Sequence, residues 1–274
     1  MNTAPRRRRR VIIGVIAVGV AVVGVGGGAL LWGGNRARQA SVSDALDKFR
    51  DRSSARQPMA SLEPEAGVYT YAATGTEKLS LFNSAQPWGP TIPMTITGAR
   101  NDGCYAMRME FSTNHVQTFD YCATDAALQD VAGRTEQRFS FGALDVDDTN
   151  VFKSDPRFDV IRRSAKPSDS WSAASAGKSP TRDTAVRSVG TITYVGPETI
   201  SVNGSPVAVY HYLDERTLSG DQTGTESDDQ WFAQSNGLLV QLRRSVRVNS
   251  PSPIGQVTYT EQGSATITSL TPTR

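Results

Sequence analysis

The feature that most constrains this chain is an uncharged apolar segment, Val11–Trp32, which directly follows five consecutive arginines, Arg6–Arg10. The segment has 22 residues, and about 20 apolar residues are enough for a helix to cross the ~30 Å hydrocarbon core of a bilayer. Positive charge holds its own end of such a helix in the cytoplasm. We therefore predict a basic cytoplasmic stub at 1–10, a plasma-membrane helix at 11–32 and an extracytoplasmic remainder.

A cleaved signal peptide is the alternative interpretation of the apolar segment. The apolar part of a signal peptide has about 7–15 residues and ends at a small-residue cleavage site. Here the run is longer, and Gly33–Ala40 offers no site of that kind. The length of the segment favours an uncleaved, single-pass anchor.

Small residues recur along one face of the predicted membrane helix, at spacings of three and four: Gly14, Ala17, Ala21, Gly24 and Gly28. Such a face allows two helix backbones to approach closely, and Gly24–Gly28 is a GxxxG pair. The stripe therefore indicates helix packing in the membrane. Glycine and alanine are also common in membrane helices generally, and the pattern leaves both interpretations open.

The charge of the exported part excludes one class of function. The first 32 residues hold five of the 29 basic residues and no acid, which leaves 24 basic against 27 acidic residues and a net charge of −3. Nucleic-acid binding depends on a basic surface. We therefore expect no nucleic-acid partner.

Two patterns organise the exported part. In the juxtamembrane segment 33–66, a capping motif at Ser41–Asp44 precedes apolar residues at helical spacing, which predicts a short amphipathic helix at 42–54. From residue 67 to 271 the apolar residues alternate and turn residues separate the runs, as is typical of antiparallel strands. We predict a mainly β domain there, a curved sheet or half-barrel, with a long loop at 145–182.

The two cysteines are expected to form a disulfide, because thiols oxidise outside the cytoplasm and two cysteines allow one intramolecular pairing. Folding Cys104–Phe111 onto His115–Cys122 places Cys104 opposite Cys122. The same register pairs Tyr105 with Tyr121, and Phe111 with His115. One face of this hairpin is apolar and aromatic: Tyr105, Met107, Met109, Phe111, Phe119 and Tyr121. That face is either the core beneath the sheet or the contact surface for an apolar ligand.

No pattern indicates catalysis, a cofactor or a metal. The only histidines are His115 and His211, neither belongs to a nucleophile motif, and no zinc-ligand spacing is present. A calcium loop starting at Asp145 would need Gly and Glu where Asn150 and Pro156 stand. We predict that the protein is not an enzyme; an envelope hydrolase is the weakest of the alternatives.

Three segments resemble an uncharacterised family of exported actinobacterial proteins: Gly67–Glu77, the hairpin from Gly103 to Cys122, and Asp229–Trp231 followed by Gly237–Val240. The strand order and the last hairpin also resemble the lipoprotein-carrier half-barrel, a curved sheet that wraps helices and holds an acyl chain. The resemblance implies an envelope protein that binds an apolar or lipid-like ligand through a sheet face. The alternative is an interaction module of an envelope complex, without a small-molecule ligand.

Overall fold

The computed structural model describes residues 38–52, 58, 60–81, 85–98, 103–141, 144–180, 184–252 and 255–274. The predicted membrane helix at 11–32, with its five small residues, lies outside this part of the chain. Within it, no helix is both long enough and apolar enough to span a membrane.

One α-helix, α1 (Val42–Arg52), precedes the sheet. The Ser41 hydroxyl accepts a hydrogen bond from the Asp44 amide at 3.1 Å, which caps the helix as predicted. Ala45 and Phe49 are buried against Val68 at the start of the sheet. The helix is therefore fixed to the domain rather than separate from it.

The thirteen strands of the described residues form a single antiparallel sheet. They are β1 Gly67–Leu79, β2 Gln86–Pro87, β3 Thr91–Ile96, β4 Cys104–Ser112, β5 His115–Ala123, β6 Ala127–Phe141, β7 Leu144–Arg162, β8 Ser170–Ser179, β9 Thr184–Val202, β10 Ser205–Gly220, β11 Thr223–Ala233, β12 Leu239–Ser252 and β13 Gly255–Ile267. Neighbours in sequence are neighbours in the sheet, except that β3 and the short β2 both pair with β1.

The prediction of an open curved sheet or half-barrel is wrong, because the sheet closes. Strand β1 pairs with β13 from Tyr71–Ile267 to Leu79–Tyr259, which joins twelve strands into a barrel. This pairing connects the two ends of the domain. Local alternation reveals hairpins between sequence neighbours but carries no signal for so distant a partner.

The long loop predicted at 145–182 is also wrong, because most of it forms β7 and β8. Strand β8 has the sequence SWSAASAGKS, so small side chains hide its alternation. Ala173 is nevertheless buried, and a Cβ at Gly177 would lie 2.6 Å from the ring of Phe152. The absence of a side chain at Gly177 therefore makes room for the Phe152 ring of β7.

Candidate functional site

The disulfide hairpin forms in the predicted register. Cys104 and Cys122 are directly opposed and bonded, with their Cα atoms 3.9 Å apart. The register shifts only at the tip, where Ser112 rather than Phe111 pairs with His115. The extra residue shortens the turn to Thr113–Asn114, and it allows Phe111 to stack on His115 with ring centroids 4.8 Å apart.

The apolar face of this hairpin points into the barrel. Five of its six members are at most 4% exposed: Tyr105, Met107, Met109, Phe111 and Tyr121. The sixth, Phe119, is partly buried against this core. They share one core with residues of the opposite wall, among them Tyr212, Phe232 and Val240. Any ligand that touches this face has to do so inside the barrel.

The apolar interior adjoins a cluster of buried charges on β1, β12 and β13. Glu77 and Glu261 are cross-strand partners, exposed by only 2% and 1%. Glu77 accepts hydrogen bonds from Gln86 at 2.7 Å and from the Tyr259 hydroxyl at 3.0 Å. Glu261 accepts one from Nε of Arg244 at 3.1 Å. We call Glu77, Glu261, Arg244 and His115 the interior charge cluster.

Arg244 is the member of this cluster that carries a positive charge at every ordinary pH. Its guanidinium lies 2.8 Å from Asp228 and 2.5 Å from Glu226, in addition to its bond with Glu261. Burial alone would lower the pKa of Arg244, but these three carboxylates raise it well above its ordinary value. The arginine therefore stays charged and links β11, β12 and β13.

His115 completes the cluster from the tip of the disulfide hairpin. Its ring is fully buried, and Nδ1 lies 3.1 Å from Oε2 of Glu77 and 3.5 Å from Oε1 of Glu261. Neither contact has the angles of a hydrogen bond, and Nε2 also has no partner among the described residues. Burial lowers the pKa of His115, but the two carboxylates outweigh it and raise the pKa above its ordinary value.

A partial signal for this cluster is present in the sequence. Arg244 shares one face of its strand with Leu242 and Val246, as the alternation predicts, and a charge in an apolar face is a candidate for a buried partner. Glu77 gives no such signal, because it stands among small and polar residues at 74–78, near the end of β1. The convergence depends on barrel closure, which the sequence analysis missed.

His211 has a different environment. Its two ring nitrogens contact different carboxylates, Nδ1 with Glu198 at 2.7 Å and Nε2 with Asp229 at 2.9 Å. Its ring stacks on Trp231 at 4.2 Å, and the Trp231 indole donates to Glu198 at 2.9 Å. Both ring nitrogens therefore have carboxylate partners within the protein.

A second group of charges lies on β6, β7 and β10. Arg216 donates to both oxygens of Asp214 at 2.8 and 3.0 Å, and its guanidinium stacks over Phe158 at 4.7 Å. Asp130 accepts a hydrogen bond from Ser154, and burial raises the pKa of Asp130 to about 6. Ionisation of Asp130 therefore opposes folding above pH 6.

We expect Asp130→Asn to reduce the loss of stability between pH 4 and pH 7. The native state binds the Asp130 proton more tightly than the unfolded chain does. The stability that protonated Asp130 contributes is therefore complete below pH 4 and is lost as pH rises through 6. A shift from 3.8 to about 6 corresponds to roughly 2–3 kcal/mol. Urea titrations at the two pH values measure it. Asp47→Asn, on the exposed face of α1, is the control, and equal pH dependence in both variants would contradict the assignment.

The pairing of neighbouring strands in the barrel wall is interrupted between β7 and β8. These strands pair only at Val151–Lys153 with Ala176–Lys178, although β7 continues to Arg162 and β8 begins at Ser170. Side chains close the parting: the Trp171 indole donates to the Asp159 carbonyl at 2.7 Å, and Arg162 stacks on Trp171 at 4.3 Å. Behind Trp171 lies the buried ring of Tyr212, at 6.0 Å. We call this place the β7–β8 parting.

Comparison with known proteins assigns no family. No family model matches the sequence, and no curated protein matches it. Among solved structures, the chain is similar to the hypothetical lipoprotein YmcC of Escherichia coli at 13% identity, with a TM-score of 0.34, over 87% of this chain and 100% of that one. At so low a score the function has to be argued from the residues of this chain itself.

Proposed function

We propose that this protein is a non-catalytic binding protein of the cell envelope, held at the plasma membrane by residues 11–32. Its barrel takes up an apolar or lipid-like ligand through the β7–β8 parting. The parting is the observation that carries this proposal, because side-chain contacts there replace the backbone hydrogen bonds that join the rest of the wall. Side-chain contacts open at a lower free-energy cost than a strand ladder does.

The residues behind the parting suit an apolar ligand. Trp171 is partly buried, whereas Phe158 and Tyr212 behind it are buried in the core that includes the hairpin face. The Trp171 ring contacts that of Tyr212, and Tyr212 belongs to the same core as Met107 and Met109. Methionine side chains adapt to irregular shapes, so this part of the core can rearrange around an acyl chain.

A second function is favoured by a shallow groove of about 410 Å³ on the outer face of β1, β12 and β13. It is lined mainly by polar side chains and two glycines: Thr74, Gly75, Thr76, Arg243, Gln262, Gly263 and Ser264. The side chains of Thr74, Thr76, Gln262 and Ser264, with Arg243, offer a partner hydrogen-bond donors and acceptors on this face. An interaction module of an envelope complex would use this groove and leave the barrel interior closed.

Titration of a fluorescent acyl probe into a fragment spanning residues 38–274 tests the first function. We expect saturable uptake of about one probe per chain. Trp171→Ala removes the outermost ring of the parting and should speed uptake about tenfold, which corresponds to ~1.4 kcal/mol of lost contact. Met107→Ala should change the affinity of the probe with little loss of stability.

Val189→Ala, at an exposed position of β9, is the matched control and should bind the probe as the unaltered fragment does. If the folded fragment takes up no probe and Met107→Ala only lowers stability, by the 2–5 kcal/mol of a core truncation, the ligand function is excluded. The interaction module then becomes the better explanation.

A further inference from the structure

We infer that Glu77, His115 and Glu261 form a binding site for one divalent transition-metal ion, with Zn²⁺ as the best match. This site is independent of the proposed ligand function. It lies inside the barrel, where the first strand, the last strand and the tip of the disulfide hairpin meet. Each residue offers one ligand atom, and the three atoms all lie within 4.8 Å of one another.

The distances match the spacing of ligands around zinc. Zinc binds imidazole nitrogen and carboxylate oxygen at about 2.0–2.2 Å in a tetrahedral arrangement, which sets neighbouring ligand atoms about 3.3–3.5 Å apart. Nδ1 of His115 is 3.1 Å from Oε2 of Glu77 and 3.5 Å from Oε1 of Glu261. The Tyr259 hydroxyl donates a hydrogen bond to the same oxygen of Glu77 at 3.0 Å and holds it in position.

The hydrogen bonds of the cluster leave two of the three ligand atoms without a partner. Oε1 of Glu261 and Nδ1 of His115 are buried without hydrogen-bond partners among the described residues. The other oxygen of Glu261 binds Arg244, and the other oxygen of Glu77 binds Gln86. Buried polar atoms are nearly always paired in native proteins, and an unpaired group points to a missing ion or water. The two carboxylates are thus each held at one oxygen by a hydrogen bond, and the three ligand atoms lie within 4.8 Å of one another.

The charges also favour a cation at this point. Arg244 contacts three carboxylates, those of Asp228, Glu226 and Glu261, and Glu77 brings a fourth. Burial raises the pKa of Asp228 well above its ordinary value, so this carboxyl group holds its proton. The other three carboxylates, when ionised, leave an excess of two negative charges over the one guanidinium. Uncompensated buried charge costs several kcal/mol. A divalent ion between Glu77 and Glu261 offsets most of this excess at the place where the two carboxylates face each other.

The donor set favours a transition metal over calcium or magnesium. Ca²⁺ takes six to eight oxygen ligands and Mg²⁺ keeps several waters, whereas this site is buried and includes an imidazole. Imidazole suits zinc and its neighbours in the first transition row. The mutual proximity of Glu77 and Glu261 arises only when β1 pairs with β13, so the ion binds as the barrel closes and dissociates slowly afterwards.

Metal analysis of the full-length protein in detergent tests this inference. The chain is unfolded with a chelator, refolded with Zn²⁺ alone, freed of excess metal by gel filtration and analysed by plasma mass spectrometry. We expect about one zinc per chain, a higher melting temperature than in the metal-free protein, and less than a tenth of that zinc in His115→Gln. Glu261→Gln, which keeps the shape of the side chain, should lose zinc as well.

His211→Gln is the matched control, because His211 also contacts two carboxylates but through opposite ring nitrogens. It should retain one zinc. If the His115 and Glu261 variants do not fold, X-ray absorption of the zinc-loaded unaltered protein decides, since the inference requires one imidazole and no sulfur in the first coordination shell. Refolded protein without zinc, a His115→Gln protein with a full equivalent, or a zinc shell without imidazole would each overturn the inference.

Discussion

Arg244→Met is expected to lower the free energy of unfolding by about 3–5 kcal/mol. The substitution preserves much of the volume of the side chain but removes the guanidinium that contacts Asp228, Glu226 and Glu261. Asp228 and Glu261 are exposed by no more than 6%, so water cannot replace the lost hydrogen bonds. Urea denaturation at pH 7, followed by circular dichroism, measures the effect.

Arg243→Met provides the control one position away. The side chain of Arg243 is 64% exposed, and its nearest carboxylate, Asp229, lies 3.9 Å away. An exposed ion pair contributes less than about 1 kcal/mol. Equal losses of stability in the two variants would show that Arg244 does not occupy the buried position described for it.

Gly190→Ala is expected to destabilise the barrel by about 3 kcal/mol or more, beyond the usual range for one added methyl group. A Cβ at Gly190 would lie 1.9 Å from the carbonyl oxygen of Glu215, on the neighbouring strand β10. The clash is with backbone atoms, so no change of side-chain rotamer can relieve it. Strands β9 and β10 would have to separate where Gly190 pairs with Arg216.

The control for this substitution is Gly133→Ala, also within a strand, where the nearest atom to the new Cβ would be a carbonyl oxygen 3.6 Å away. That is an ordinary van der Waals distance, and the replacement should change the melting temperature little. If Gly190→Ala melts at the same temperature as Gly133→Ala, strands β9 and β10 do not approach each other as closely as described.

The sequence was most informative where contacts are local. The alternation of Cys104–Phe111 and His115–Cys122 predicted the hairpin, its disulfide and which side chains face the core, because both strands belong to one turn. It failed at the tip, since a bulge of a single residue leaves the alternation on either side intact. Arg244 likewise lies on the face of β12 that local alternation gives it, beside Leu242 and Val246.

The missed features depend on contacts between distant segments. The glycine of β8 at position 177 is explained only by the Phe152 ring of β7, which packs against it. The burial of Glu77 in a charge cluster depends on its pairing with Glu261. The metal site was missed for this reason: its three ligands come from three strands, so no spacing in the sequence relates them. A charged residue at an apolar position, as Arg244 is, was the one available sign of a buried ionic cluster.

The pairing of β1 with β13 also determines how late in its synthesis the chain can close the barrel. Tyr71 is among the earliest residues of the sheet to be made, and its partner Ile267 is among the last. The final residues add to this closure, because Thr273 pairs with Val68 and the Arg274 guanidinium binds Glu65. Until the ribosome reaches these residues, one edge of β1 has no strand to bond. Any chain that stops short of β13 therefore presents two open edges to its neighbours, and open edges lead to aggregation.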